Sequence, residues 1–202
     1  MTIRNIFIDL GGVLVRTDDR GPRDRQAHAL GLTSRELEKI VFEAQTAYDA
    51  SIGAITEQAH FESVAKALGI DQATAGRVTA EFFAGDRVDL SLLDFLRSQR
   101  PGHKICLISN AWSGLRAFIT RQSFDDVFDK MVISAEVGMI KPDPRIYQIA
   151  LQLLAARPEE SVFVDDVLVN VEAARALGMH GIQFTQPERT LEELKQLLNH
   201  NV

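Results

Sequence analysis

Four places along this 202-residue chain bring together residue types that could do chemistry. Asp9 closes the apolar run Ile3–Asp9, Ser109 and Asn110 close His103–Ser109, and Asp165 and Asp166 close Ser161–Asp165. Lys141 stands in Gly138-Met139-Ile140-Lys141-Pro142-Asp143-Pro144. A carboxylate can act as a covalent nucleophile. A hydroxyl, an amide and a fixed ammonium can hold an anion, and a pair of carboxylates suits a hard divalent cation. One carboxylate after a strand is an ordinary turn or helix-capping residue. Three polar strand ends facing one crevice are harder to explain as capping, and the several carboxylates among them are costly to leave together unless a cation compensates them, for which Mg²⁺ is the natural candidate.

The elements that must position these residues follow from the hydrophobic pattern. Five runs, Ile3–Asp9, His103–Ser109, Lys130–Ser134, Ser161–Asp165 and His180–Phe184, are nearly continuous apolar stretches rich in β-branched residues. That is the pattern of parallel strands buried on both faces. Helical periodicity over Arg145–Ala156 and Asn170–Leu177, the latter ending at Gly178, alternates with them and predicts a three-layer α/β fold with right-handed crossovers. In such a sheet the C-terminal strand ends open on one edge, where ligands bind. Ser109 and Asn110 lead into a predicted helix over Trp112–Arg121, whose first N–H groups would add to an anion cradle.

The stretch from 16 to 88 reads differently, with no convincing strand. Leu37, Ile40, Val41, Ala44 and Tyr48 form one helical stripe, Phe61, Val64, Ala65 and Leu68 a second, and Gly53 breaks the pattern between them. The expected organisation is a Rossmann-like core from 1–15 and 89–202, with a helical cap over 16–88. The cap stripes, and Trp112 at a helix start, read as packing first and pocket lining second.

Composition excludes several classes. The chain is 46% hydrophobic and 25% charged, with a formal net charge of -6, so it lacks the basic footprint of a nucleic-acid binder. The N-terminal apolar run is too short for a membrane span and is interrupted by Asp9. The single cysteine, Cys106, lies in an apolar strand and reads as an inert buried thiol, which leaves the cytoplasm as the default compartment. The five histidines, His28 and His60 among them, show no metal-binding spacing.

Taken in order, Asp9-Leu10-Gly11-Gly12-Val13-Leu14, Leu107-Ile108-Ser109-Asn110, Lys141, and Val164-Asp165-Asp166 with Asn170 resemble the four motifs of the haloacid-dehalogenase-like (HAD) hydrolases over nearly the whole chain. The resemblance implies a parallel sheet ordered 5-4-1-2-3 in its five strands and a helical cap after the first motif. It further implies an Mg²⁺-dependent phosphatase of a small phosphorylated metabolite. Asp9 would be the nucleophile that carries an aspartyl-phosphate. Asp9, the Gly11 carbonyl and Asp166 would hold Mg²⁺, while Ser109, Asn110 and Lys141 would bind the phosphoryl group. Asp165 would lie in or behind the metal's ligand set, and Asn170 would help orient Lys141.

One position departs from the pattern. Most members of the family carry an aspartate two residues after the nucleophile, which protonates the leaving group; here that residue is Gly11. Losing such an acid typically costs ~10²–10⁴-fold in rate. Arg16, Asp18 and Asp19 stand near enough in sequence to substitute. Haloacid dehalogenases and phosphonatases also lack this aspartate, as does a branch of bacterial sugar-phosphate phosphatases that includes an α-D-glucose-1-phosphate phosphatase, which this chain resembles in DLGGVLV, GMIKPDPRIY and VDDVLVNVEAARALG. Two other functions compete with the phosphatase: a metal-independent hydrolytic dehalogenase, and a phosphate-binding or regulatory module with weak turnover.

Overall fold

The structure, a computed structural model, describes residues 2–199. The first strand, β1 (Asn5–Ile8), is followed by β2 (Val15–Thr17) and then by α1 (Gly21–Ala29), α2 (Ser34–Glu38), a π-helical turn over Lys39–Glu43, α3 (Gln45–Ser51), α4 (Glu57–Leu68) and α5 (Gln72–Phe82). The chain returns through β3 (Asp86–Val88) and α6 (Leu90–Gln99) to β4 (Lys104–Ser109), α7 (Leu115–Arg121) and β5 (Lys130–Ile133). It finishes with α8 (Ser134–Val137), α9 (Pro144–Leu154), β6 (Ser161–Asp165), α10 (Leu168–Ala176), β7 (His180–Gln183) and α11 (Pro187–Asn199).

The main sheet is parallel, in the order β5-β4-β1-β6-β7. Read from the other edge, this is the expected order of the five strands. Alternate residues of each strand face opposite layers, as the two-residue strand period requires. Ile6, Ile8, Ile105, Leu107, Val162 and Val164 pack with Leu92, Leu93 and Leu96 of α6 and with Leu194 and Leu198 of α11. Phe7, Cys106, Ile108 and Phe163 pack with Ile146, Tyr147 and Ala150 of α9 and with Ala174 of α10. Both faces are covered, which is why the strands read as continuous apolar runs.

A separate apolar cluster of Ala27, Leu37, Val41, Val64 and Phe82 holds the helices between β2 and β3 together. The expectation that 16–88 holds no strand is corrected here. Val15–Thr17 pairs antiparallel with Asp86–Val88, the Thr17 hydroxyl donating to Asp86 at 2.7 Å. Two three-residue strands some seventy positions apart carry too little periodicity to be seen in sequence. The stripe from Leu37 to Tyr48 is likewise not one helix. Ala44 is extended (φ -66°, ψ 150°), and Tyr48 is exposed. Gly53 adopts φ +70°, and a Cβ there would run into the Ala135 carbonyl, so a glycine lets this turn approach α8. Among the described residues no helix is long and apolar enough to cross a membrane.

Candidate active site

Sheet register brings the first two carboxylates together. Ile8 pairs with Leu107 on one side and Val164 on the other, so the next residue, Asp9, lies level with Ile108 and Asp165. The Asp9 amide donates to the Val164 carbonyl at 2.9 Å. Asp9, Asp165 and Asp166 each offer an oxygen within 4.8 Å of the others.

Lys141 is buried among them. Its ammonium lies 2.6 Å from Asp165 Oδ2 and 2.8 Å from Asp9 Oδ1, and it donates to the Ile108 carbonyl at 3.0 Å. The loop carrying it is pinned by Asn110, whose Oδ1 accepts from the Lys141 amide at 2.7 Å and whose Nδ2 donates to the Lys141 carbonyl at 2.9 Å. Asp143 caps α9 just beyond, with Pro144 as the first helical residue, so the loop is anchored at both ends. The resemblance aims Asn110 at a phosphate; in the structure its amide is bonded to the main chain of Lys141.

Asp165 is wholly buried and fully engaged. Besides Lys141, it accepts from the Val167 amide at 2.8 Å and from Asn170 Nδ2 at 3.1 and 3.2 Å. Asn170 therefore reaches Lys141 through Asp165, and its carbonyl in turn accepts from the Tyr147 hydroxyl at 2.9 Å. Asp166 points the other way, against Gly12, where φ is +77° and a Cβ would overlap the carboxylate. Only glycine lets that carboxylate fold over the loop after Asp9.

Burial pushes the Asp9 carboxyl up to about 6, with Asp165 adding to the rise and Lys141 opposing it. Burial also raises Asp166, again with Asp165 contributing. Burial is the main cause in both, and the cluster besides carries an excess of negative charge: three ionised carboxylates against one ammonium leave -2. A divalent cation would balance it, and oxygen donors of this kind suit a hard ion. Asp165 is already saturated by protein donors. Asp9 and Asp166 are the carboxylates left to hold such an ion, and the hydrogen bonds to Asp9 fall on Oδ1.

Ser109 is buried at the end of β4 and lines a cavity of about 1560 Å³ that also touches Gly11, Gly12, Asn110 and Trp112. The expected helix over Trp112–Arg121 begins only at Leu115, so its first turn is set back from Ser109. The Ala111 amide is instead taken by the Ser134 hydroxyl at 2.9 Å. Of the stand-ins for the missing acid, Arg16 lines the cavity but is tied to Asp89 at 2.9 Å, whereas Asp18 and Asp19 are exposed outside it, Asp19 capping the turn into α1 through the Gly21 amide. His60 is a buried core histidine between Thr46 and the Val41 carbonyl. Cys106 is fully buried. Of the cavity-lining phenylalanines, Phe61 lies in a stripe whose second reading is pocket lining, whereas Phe42 and Phe83 fall outside both stripes and give no sequence signal.

A parallel three-layer α/β sheet with a carboxylate cluster and a buried lysine at its C-terminal edge defines a hydrolase of the HAD type. Residues 3–178 match the family of haloacid dehalogenase-like hydrolases, and the chain belongs to that family. It is 25% identical over 208 residues to D-ribitol-5-phosphate phosphatase of Bacteroides thetaiotaomicron, covering 98% of this chain and 99% of that one. A crystal structure of a HAD family enzyme from the same organism, in complex with magnesium and inorganic phosphate, shares the fold with a TM-score of 0.78 at 24% identity, covering 91% of this chain and 94% of that one. Mouse acyl-CoA dehydrogenase family member 10 is 45% identical over 71 residues, which is 35% of this chain; the match spans only 7% of that relative's length.

Proposed function

We propose that this hydrolase is an Mg²⁺-dependent phosphatase acting on phosphate monoesters through an aspartyl-phosphate on Asp9. The observation that carries the reading is the charge imbalance at the strand ends, where Lys141 is spent on Asp165 and Asp9 while Asp166 is left uncompensated. The similarity to a full-length sugar-alcohol phosphatase supports it. A metal-free displacement has no use for Asp166.

Asp9, Asp166 and the Gly11 carbonyl would hold Mg²⁺, which when bound neutralises charge on the phosphoryl oxygens. Asp9 then attacks phosphorus with the carboxylate oxygen that Lys141 and the Leu10 amide do not hold. Lys141 and Ser109 bind the transferring group, and the lysine stays put because Asp165, Asn170 and Asn110 fix both its head and its main chain. Residues 16–88 are proposed as a cap that walls the cavity and selects the alcohol, over a catalytic core of 1–15 and 89–202.

The test is release of p-nitrophenol from p-nitrophenyl phosphate by purified protein. Turnover should require Mg²⁺, stop in EDTA and vanish in Asp9→Asn. Turnover that persists in EDTA or in Asp9→Asn overturns the reading.

A further inference from the structure

We propose that the ester cleaved here is an aryl phosphate, its aromatic alcohol seated among Phe42, Phe61, Phe83 and Trp112. This names the substrate class of the phosphatase reading above and rests on it. Two observations converge, one from the cavity and one from the loop after Asp9.

The cavity, about 1560 Å³, opens beside Gly11, Gly12 and Ser109 and continues beneath the helices between β2 and β3. It exceeds the ~300–1,000 Å³ usual for small-molecule sites, so it admits more than a phosphoryl group. One wall is a run of rings. Phe42 stacks on Trp112 with centroids 6.0 Å apart and planes at 24°, Phe61 meets Trp112 edge-on at 5.3 Å, and Phe83 meets Phe42 at 6.1 Å. Phe42 remains 45% exposed while belonging to this cluster, which leaves ring surface free to take another aromatic group. Such ring pairs add attraction beyond the area they bury.

Several polar groups that line the cavity nearest the loop after Asp9 are spent on the protein. Arg16 is held by Asp89 and the Val13 carbonyl, Arg23 by Asp86 and the Phe82 carbonyl, and Thr17 by Asp86. The Glu57 carboxylate takes the Gly114 amide beside Arg121. Recognition of a sugar or polyol needs unspent donors and acceptors for its hydroxyls, because each one buried without a partner is penalised.

Gly11 supplies the second observation. It has no side chain to protonate the leaving oxygen, and the nearby acids Asp18 and Asp19 lie outside the cavity. The two carboxylates that do line it are engaged, Asp86 by Arg23 and Thr17 and Glu57 by the Gly114 amide, so in this proposal the alcohol departs as an anion. In the first step Asp9 forms the new P–O bond, the bond from phosphorus to the aryl oxygen breaks, and its electron pair leaves on an aryloxide that takes a proton from solvent. In the second step water bonds to phosphorus, the Asp9–phosphorus bond breaks with its pair returning to the carboxylate, and the water's proton passes to solvent. A phenolic oxygen, with a pKa of about 10, can leave unaided far more readily than an alkoxide.

The experiment compares phenyl and 1-naphthyl phosphate with D-ribitol 5-phosphate and glucose 1-phosphate, using the full chain and Mg²⁺. The aryl esters should show kcat/KM at least about 100-fold higher, falling steeply along a series of phenols of rising pKa. Phe42→Ala, at a half-exposed position, should raise KM for the aryl esters about 10-fold and leave the polyol esters unmoved. Polyol esters cleaved as well as aryl ones, or a Phe42→Ala variant indistinguishable from the parent, overturns the proposal while leaving the phosphatase reading intact. If no ester is cleaved, the phosphatase reading fails and binding decides the aryl site alone. Trp112 is the only tryptophan, so phenylphosphonate should change its fluorescence where methylphosphonate does not. Equal responses, or none, overturn the proposal.

Discussion

The Lys141 ammonium donates to Asp165 Oδ2 at 2.6 Å, with the lysine side chain 1% exposed and the aspartate 0%. A buried ion pair of this kind gives little net stability when intact, yet removing one partner strands the other charge in a low-dielectric interior. Because Lys141 keeps Asp9 as a second counter-ion, Asp165→Asn should cost about 1–3 kcal/mol of folding stability, less than stranding the ammonium outright. Asp166→Asn, at a half-buried carboxylate with no ammonium on it, should be near neutral. Urea denaturation of the two variants side by side measures the contrast; equal losses would show that Asp165 is not the lysine's structural counter-ion.

Metal should stabilise the fold in proportion to how well the site holds it. A ligand at a hundred times its Kd adds about 2.7 kcal/mol. In a chain of this size that raises Tm by roughly 5–10 °C. Thermal melts with Mg²⁺ and with EDTA should differ by such a margin, and Asp166→Asn should close the gap. A gap unchanged in Asp166→Asn places the ion elsewhere.

Gly11 leaves room for the acid it lacks. A Cβ built there meets nothing within 4 Å, and the residue is exposed. Gly11→Asp should fold normally and raise kcat on alkyl phosphates by about 10²-fold, at the low end of what a general acid contributes. Aryl phosphates should gain little, since their leaving oxygen needs no proton. Steady-state kinetics on both classes checks this, and an equal response from both would refute it.

His60 should make stability depend on pH. Burial holds its imidazole below the ordinary 6.5, so the folded protein binds that proton less readily than the unfolded chain. Its contribution is complete above pH 6.5, declines as pH falls below that value and is lost as pH falls through the lower pKa of the folded state. Tm should therefore drop between pH 7 and pH 5.5, and the drop should shrink in His60→Gln. An unchanged slope in the variant would assign the dependence to other groups.

Asp9, Lys141 and the pair Asp165-Asp166 were legible in the sequence because each ends or follows a run whose apolar pattern marks a buried parallel strand. Strand ends in such a sheet share one edge, so residue type and position together foretold a cluster. The five strands followed from the same periodicity, with ends off by at most two residues, whereas the sheet order came from the resemblance of the motifs to the HAD hydrolases. What each member of the cluster does was not in that pattern. Only the register, which sets Asp9 level with Asp165, shows that Asp165 is consumed by Lys141 and Asn170 while Asp166 carries no ion pair of its own. The same holds for Asn110, which ties down the Lys141 loop, and for Phe42 and Trp112, which meet across some seventy positions. Local periodicity reports which face of an element is buried; which distant groups meet there, and which hydrogen bonds they use up, is decided by packing alone.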